Sequence, residues 1–263
     1  MAGVSPSENL DNFRQLADSP GDRISVQNLR KSGRMTARER IYALLDPESF
    51  VEIDAFVQHR SGDHNLHLHR PLGDGVVAGH GMLDGRRIVC FAQDYSIFEG
   101  TMGEMHAKKI AKIAEFAEKS QLPIIGIWDG DGQRAYEGVP ALGATGELLD
   151  ILVACSGRIP IISLVLGTVS GVSALAAGLS DFVILGSEHG QMFMRSPYFI
   201  PEVINGEIDE DTLGGAESHA SRSGVACLVA EDEHDAINIA AEILSYLPDH
   251  TLAESFNVNS GDP

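Results

Sequence analysis

The stretch "LPIIGIWDGDGQRAYEG", residues 122–138, joins a short apolar run to a turn rich in glycine and acidic residues. The run ends at Trp128 and predicts a buried strand, because it is short, apolar and rich in isoleucine. The two glycines that follow favour a tight turn or a close approach of the backbone to another group. The stretch "IPIISLVLGTVSGVSALAAG", residues 159–178, has the same form and ends its apolar run at Leu166. Both stretches therefore predict a buried strand that turns directly into a helix.

The rest of the chain alternates in the same way. "GDGVVAGHGMLDGRRIVCFAQD" predicts a hairpin of two strands around Asp84-Gly85, and "MGEMHAKKIAKIAEFAEKS" predicts an amphipathic helix. "FVILG" and "QMFM" predict further strands, and "DEHDAINIAAEILSYLP" predicts a terminal helix. Short apolar strands separated by helices indicate an α/β fold, in which helices cover a parallel sheet.

Composition limits the partners. The 263 residues carry a formal net charge of −19, which argues against nucleic acid and against an anionic membrane surface, since both need a basic patch. No apolar stretch is long enough to span a bilayer, and the first residues lack the blocks of a secretory signal. Cys90, Cys155 and Cys227 lie far apart in apolar contexts, which predicts buried free thiols in a reducing compartment. We therefore expect a cytoplasmic protein.

One segment is basic although the chain as a whole is acidic. Six basic residues and a single acid, Glu39, lie between Arg23 and Arg40. Thr36 and Glu39 form a capping-box pattern, which predicts the start of a short helix. This segment is either a solvated helix face or a contact for a phosphate-bearing ligand or an acidic partner.

Four histidines lie between His59 and His69. Their spacing matches none of the helical or knuckle patterns of zinc sites, and no cysteine is near. We expect a polar loop there and no metal site.

The two glycine-rich turns suggest chemistry as a pair. Each is expected to expose backbone N–H groups just before a helix, where the helix dipole adds positive potential. Two such turns in one fold can hold one or two oxyanions during enolate chemistry. For either turn alone, the alternative interpretation is that the glycines only allow the backbone to turn tightly.

Several segments occur in an order that resembles the carboxyltransferase β subunits of acyl-CoA carboxylases, propionyl-CoA carboxylase above all. They include "RMTARERIYALLDPESFVEID", "GDGVVAGHG", "FAQDYSIFEGTMGEMHAKKIAKI", "EGVPALGATGE" and "LGGAESHASRSGVACLVAEDEHDA". The resemblance implies a crotonase-like α/β fold, a spiral of ββα units with coenzyme A lying across it. We accordingly expect residues 1–22 to be a flexible leader, 23–250 a single crotonase-like carboxyltransferase domain of the N-terminal type, and 251–263 a tail.

In that family the first turn usually reads like "DSGGAR" and the second like "GPCAGGA". Their backbone N–H groups hold the thioester oxygen in one turn and the ureido oxygen of biotin in the other. Asp129 and Arg134 match the family pattern of the first turn. The resemblance carries over four N–H donors and two neighbouring hydroxyls: Gly132, Gln133, Gly171 and Val172, with Ser170 and Ser173.

The departures from the family concentrate at these turns. Gly130, Asp131 and Gln133 stand where the family has Ser, Gly and Ala, and Val172 replaces a glycine. Asp131 would place a carboxylate beside a site meant for negative charge and would weaken it unless Arg134 compensates. This pattern predicts altered chemistry or an altered substrate. Three further departures occupy a segment where the family has an uncharged "TGPD": Arg195, Ser196 and Tyr198.

Typical members contain two crotonase-like halves, and the resemblance covers only the first. Their active site lies between the N half of one subunit and the C half of another. We therefore expect a second half on another chain, or self-association. For the phosphates of coenzyme A, the best candidates are the basic residues Arg30, Lys31, Arg34 and Arg38.

Three functions stay open from the sequence. The first is a carboxyltransferase component, moving a carboxyl group between biotin on a carrier protein and the α-carbon of an acyl-CoA. The second is a biotin-independent decarboxylase of a malonyl-type thioester, on coenzyme A or an acyl carrier protein. The third is a non-catalytic CoA-binding or scaffold subunit. The candidate proton donors of the second are Asp131, Tyr136, Glu137 and His106.

Overall fold

A computed structural model describes residues 6–196 and 209–253. The strands are β1 (Val51–Glu52), β2 (Val76–Leu83), β3 (Arg86–Gln93), β4 (Ile124–Trp128), β5 (Ile161–Val165), β6 (Thr168–Ser170), β7 (Phe182–Gly186), β8 (Gln191–Phe193) and β9 (Leu228–Ala230). The helices are α1 (Pro6–Asp18), α2 (Arg23–Lys31), α3 (Ala37–Leu44), α4 (Glu104–Ser120), α5 (Val139–Cys155), α6 (Gly171–Gly178), α7 (Glu210–Gly214), α8 (Ala216–Ser218) and α9 (Glu233–Tyr246). Tyr198 and residues 254–263 of the expected tail lie outside the described residues.

Seven strands form one sheet in the order β1-β2-β3-β4-β5-β7-β9. The pairs β1–β2 and β2–β3 are antiparallel, and the others are parallel. The short strands β6 and β8 pair in parallel as a second sheet. Because β3, β4 and β5 run in parallel, their carboxyl ends meet at one edge, where ligands of α/β sheets bind.

The hairpin predicted around Asp84-Gly85 is confirmed. Leu83 pairs with Arg86, and both turn residues have positive φ, 49° for Asp84 and 76° for Gly85. These angles match the right-handed twist of the flanking strands. The capping box at Thr36 and Glu39 is also present and begins α3.

Two apolar clusters cover the faces of the large sheet. Residues of α4, α5 and α6 pack on one face, around the buried ring of Trp128. Residues of α3 and α9 pack on the other face, around Ile127 and Leu164. The strands at the centre are therefore buried on both faces, which explains why β4 and β5 are rich in isoleucine and other apolar residues.

The segment expected to be a flexible leader contains a helix. Residues 6–18 form α1, and Ala17 is buried. The carbonyl oxygen of Ala17 accepts a hydrogen bond of 3.0 Å from Arg38 Nη2, and the ring of Phe13 lies 6.0 Å from that of Phe56. Contacts of this kind were not visible from the polar composition of the segment. The domain division at residues 22 and 250 stays a prediction.

The three cysteines carry no disulfide, and two of them are buried as expected. Burial raises the pKa of the Cys90 thiol to about 12. The expectation is wrong for Cys227, which is exposed at the start of the edge strand β9. Within the described ranges, the helices are too short or too polar to cross a membrane.

Candidate active site

The first turn begins at Asp129, a fully buried carboxylate directly after β4. Arg40 Nη1 donates to Asp129 Oδ2 at 2.6 Å, and Arg34 pairs with the other oxygen. The Asp129 N–H donates to Gln93 Oε1 at 3.0 Å. Burial alone would lower the pKa of Arg40, but the Asp129 and Glu233 carboxylates raise it above its ordinary value. The start of the turn is thus fixed by a satisfied buried ion pair.

Glycine is required next because another loop lies against the backbone. A Cβ on Gly130 would overlap the carbonyl oxygen of Gly100. Gly132 has φ +73°, and its N–H donates to the Gly130 carbonyl oxygen at 2.9 Å. The Gln133 N–H has no acceptor among the described residues. This differs from the expected pair of donors, since the first turn offers the N–H of Gln133 while that of Gly132 is already used.

Arg134 pairs with other acids than Asp131, so the condition under which it would compensate for Asp131 is not met in the described structure. Its guanidinium is buried, with Nη1 2.6 Å from Asp74 Oδ1 and 2.8 Å from Glu137 Oε1. It also lies over the ring of Phe98, 4.4 Å from the centroid. Asp74 and Glu137 hold the Arg134 guanidinium against the loops behind the turn, so its role here is structural.

Asp131 joins the two turns. Its Oδ1 accepts a hydrogen bond from Ser170 Oγ at 2.5 Å, and its Oδ2 accepts one from Ser196 Oγ at 3.0 Å. The same Ser170 hydroxyl lies 3.0 Å from the position that a Cβ on Gly132 would take. The carboxylate introduced into the first turn therefore lies between it and the second turn.

The second turn ends at the amino terminus of α6. Gly171, with φ +53°, Val172 and Ser173 form the first turn of this helix, whose N–H groups lack intrahelical partners. Among the described residues no side chain caps α6, because the Ser170 hydroxyl is bound to Asp131. The Ser173 Oγ is fully buried and has no described partner. These donors and the helix dipole make the site suited to an oxyanion.

A cavity of about 690 Å³, the α2 cavity, opens beside the first turn. Arg34 faces it and lies over the ring of Tyr95, 4.9 Å from the centroid. The walls come from α2, from the loop after β3 and from the segment after the first turn: Asp22, Ser25, Asn28, Leu29, Ser32, Arg34, His69, Tyr95, Ser96, Phe98, Glu99, Thr101, Arg134 and Tyr136.

The basic run does not form one patch. Arg30 pairs with Glu39 at 2.7 Å, and Arg38 pairs with Glu52 at 2.7 Å, away from the α2 cavity. Lys31 is exposed at the end of α2. Of the four candidates for a phosphate contact, only Arg34 lines the cavity.

The four candidate proton donors also do not lie together in the structure. His106 is fully buried, and burial, followed by the nearby Arg134 cation, lowers its pKa to about 3. Glu137 is held by Arg134 and by the N–H of Glu104 at 2.7 Å. Tyr136 is 63% exposed at the mouth of the α2 cavity. Asp131 is the candidate that lies between the turns.

The histidine loop shows no cluster of ligating side chains. Among the described residues, no group of three or more His, Cys, Asp or Glu side chains is placed to hold a metal ion. His59 is buried and its Nε2 lies 2.8 Å from the His69 carbonyl oxygen, so these two histidines support the loop itself.

Two contributors to the turns had no role in the sequence interpretation. Gln93 joins the buried ring of His106, at 3.2 Å, to the backbone of Asp129. Arg40 was counted only as part of the basic run, yet it is the buried partner of Asp129. The pattern "TARER" marks a helix, and nothing in it indicates an ion pair with a residue 89 positions later.

Comparison with known proteins gives the assignment. Residues 28–262 match the carboxyl transferase domain. The chain belongs to the carboxyl transferase domain family. A relative that is 43% identical over 97% of the chain is the biotin-dependent acetyl-/propionyl-coenzyme A carboxylase beta5 subunit of Mycobacterium tuberculosis. The methylmalonyl-CoA decarboxylase subunit alpha of Veillonella parvula is 39% identical over 92% of the chain.

The fold of this carboxyl transferase domain agrees with a solved structure. Transcarboxylase 12S, a hexamer with hydrolysed methylmalonyl-coenzyme A bound, superposes with a TM-score of 0.93 at 33% identity over 98% of the chain. The crotonase-like α/β fold and the resemblance to acyl-CoA carboxylase β subunits are confirmed. The chain spans 46% of the Mycobacterium relative, 48% of the Veillonella relative and 51% of the transcarboxylase chain.

Proposed function

We propose that the chain is the acyl-CoA half of a carboxyltransferase, which moves a carboxyl group between biotin and the α-carbon of an acyl thioester. The observation that carries this is the pairing of two turns that have N–H donors without an acceptor among the described residues. The first turn follows β4 beside the α2 cavity, and the second begins α6 directly after β6. The family assignment and the bound coenzyme A product of transcarboxylase 12S support it.

In this proposal the α2 cavity takes part of coenzyme A, with Arg34 as the cation nearest to its phosphates. The Gln133 N–H holds the thioester oxygen and stabilises the enolate that forms when the α-carbon loses a proton or a carboxylate. A preorganised donor of this kind contributes about 3 kcal/mol to the transition state. The buried Asp129 ion pair fixes the turn so that the donor is in place before the substrate binds.

The first turn of α6 fits the ureido oxygen of biotin, because Gly171, Val172 and Ser173 present N–H groups and Ser173 adds a buried hydroxyl with no described partner. Carboxybiotin on a carrier protein would supply the carboxyl group and, once decarboxylated, a base. Since the chain spans about half of its relatives, we propose that a second half or another copy completes this side of the site. We also propose a cytoplasmic location.

Decarboxylation of a malonyl-type thioester without biotin is the second candidate. The name of the Veillonella relative supports decarboxylation but is silent on biotin, and the replacement of family residues at the first turn favours altered chemistry. Both candidates use the same thioester turn, and they differ in whether biotin accepts the carboxyl group.

Mass spectrometry of the coenzyme A pool separates them. The chain is incubated with malonyl-CoA and with methylmalonyl-CoA, each with and without free biotin. Carboxyl transfer predicts loss of the carboxyl group only when biotin is present, together with carboxybiotin. Loss without biotin would establish the decarboxylase instead, and unchanged thioesters in every mixture would contradict both activities of the chain alone.

A further inference from the structure

We infer that Asp131 makes the site selective for acyl thioesters without a charge on the acyl group, and that Ser170 and Ser196 position its carboxylate for this task. The inference rests on the proposed function and names the substrate class of the same site. Asp131 and Ser170 have no counterpart in the family patterns "DSGGAR" and "GPCAGGA", which show glycine and alanine at these places.

The first step concerns the position of the charge. Asp131 lies one residue before the Gly132–Gln133 pair, and the Ser170 hydroxyl that binds it reaches to 3.0 Å from the Cβ position of Gly132. A carboxyl group on the α-carbon of a thioester held at Gln133 would extend between the two turns, because the other turn is where the carboxyl group is exchanged. The Asp131 carboxylate and the carboxylate of the ligand would then both lie in the space between the two turns.

The second step concerns the surroundings of the carboxylate. Both side-chain partners of Asp131 among the described residues are neutral hydroxyls, which donate to it and bring no positive charge. The guanidinium of Arg134, the family's retained cation, is bound to Asp74 and Glu137 instead. A ligand carboxylate therefore meets a like charge whose orientation is fixed by two hydrogen bonds.

The third step concerns the size of the effect. Like charges within a few ångströms of each other disfavour binding by roughly tenfold or more in a partly exposed site. An uncharged acyl group such as propionyl meets no such repulsion. The arrangement favours binding of the substrate of carboxylation and release of its product.

Propionyl-CoA and methylmalonyl-CoA are the probes, since they differ by one carboxylate. Calorimetric titration of the full chain gives the ratio of their Kd values. We expect wild type to bind propionyl-CoA at least about tenfold more tightly than methylmalonyl-CoA. Asp131→Asn should lose most of that preference, because it strengthens the binding of methylmalonyl-CoA alone. Ser170→Ala retains the charge but removes one of the two hydrogen bonds that orient it, so the ratio of Kd values should fall part of the way.

Glu99→Gln is the matched control, because it removes the same charge from the wall of the α2 cavity rather than from between the turns. It should change both affinities by the same factor and leave the ratio as in wild type. If Asp131→Asn had the same ratio of Kd values for the two thioesters as wild type, the inference would be overturned and the proposed function would stand. If neither thioester bound to any variant at millimolar concentration, the proposed function and the inference would both fail.

Discussion

The Ser170 hydroxyl donates to the Asp131 carboxylate at 2.5 Å, across 39 positions of sequence. This bond takes the side chain at the amino end of α6 away from the helix and leaves its first N–H groups uncapped. The first turn, after β4, and the second turn, after β6, are thereby joined through the Asp131 carboxylate. The expected behaviour of the chain follows from what these turns bind and from what holds them in place.

Val172→Pro tests the N–H donor of the second turn. Proline is tolerated in the first turn of a helix, as Pro140 shows at the start of α5, and it removes one N–H. We expect the rate of carboxyl transfer to biotin to fall by about 100-fold or more with little change in stability. Val172→Ala removes side-chain atoms and keeps the N–H, so a similar loss in both variants would show that the valine side chain, and not the donor, is responsible.

Asp129→Asn tests the ion pair beneath the first turn. The substitution leaves the buried Arg40 guanidinium with Glu233 as its remaining carboxylate partner among the described residues and removes the charged partner of Arg34. Breaking a buried pair costs about 3–5 kcal/mol. Urea unfolding followed by circular dichroism should show this loss. Asp11→Asn breaks an exposed pair with Arg14 and should leave the midpoint unchanged; equal effects of the two substitutions would contradict the structural role of Asp129.

Glu99→Gly tests the α2 cavity as the coenzyme A site. Glu99 has φ +55° and lines the cavity, so glycine relieves backbone strain and removes a negative charge close to the expected phosphates. We expect coenzyme A to bind several-fold more tightly, as measured by calorimetry. Glu48→Gly relieves similar strain, at φ +61°, away from the cavity and should leave coenzyme A affinity as it is. Equal affinities of both variants for coenzyme A would exclude the cavity.

His106→Gln tests the buried imidazole. In the folded chain its pKa is lowered to about 3 from an ordinary 6.5, so below pH 6.5 the unfolded chain binds a proton that the folded chain does not. The free energy of unfolding therefore falls as pH falls through this window, and His106 contributes about 2 kcal/mol of the fall between pH 7.5 and pH 5. The variant should lose this part of the pH dependence in urea unfolding at both pH values. A parallel pH dependence in wild type and variant would show that His106 is charged in the folded state.

The sequence predicted the parts of the fold that depend on local pattern. The apolar run before Asp129 predicted β4, and the turn residues Asp84 and Gly85 predicted the hairpin with its positive φ angles. Periodicity also predicted α4, although it could not show that His106 faces the core. Each of these features depends on residues that are close in sequence.

The candidate site depended on contacts that no local pattern contains. The family resemblance placed Asp131 in the first turn and Ser170 and Ser196 elsewhere, but their hydrogen bonds follow from the packing of α6 and β8 against that turn. The sequence left open whether Arg134 compensates for Asp131, and the structure shows that Asp74, 60 positions away, binds Arg134 instead. Partner choice among charges is a tertiary property, and for this reason the residues of the site could be named from the sequence but their pairing could not.

The central claim is that the first turn holds an acyl thioester through the backbone N–H group of Gln133. Hydrogen–deuterium exchange with and without saturating propionyl-CoA measures that group directly. The account predicts protection in peptides covering residues 129–135, which include the Gln133 N–H, and in those lining the α2 cavity around residues 95–101. Unchanged exchange in both regions, or protection confined to another part of the chain such as residues 157–160, would contradict it.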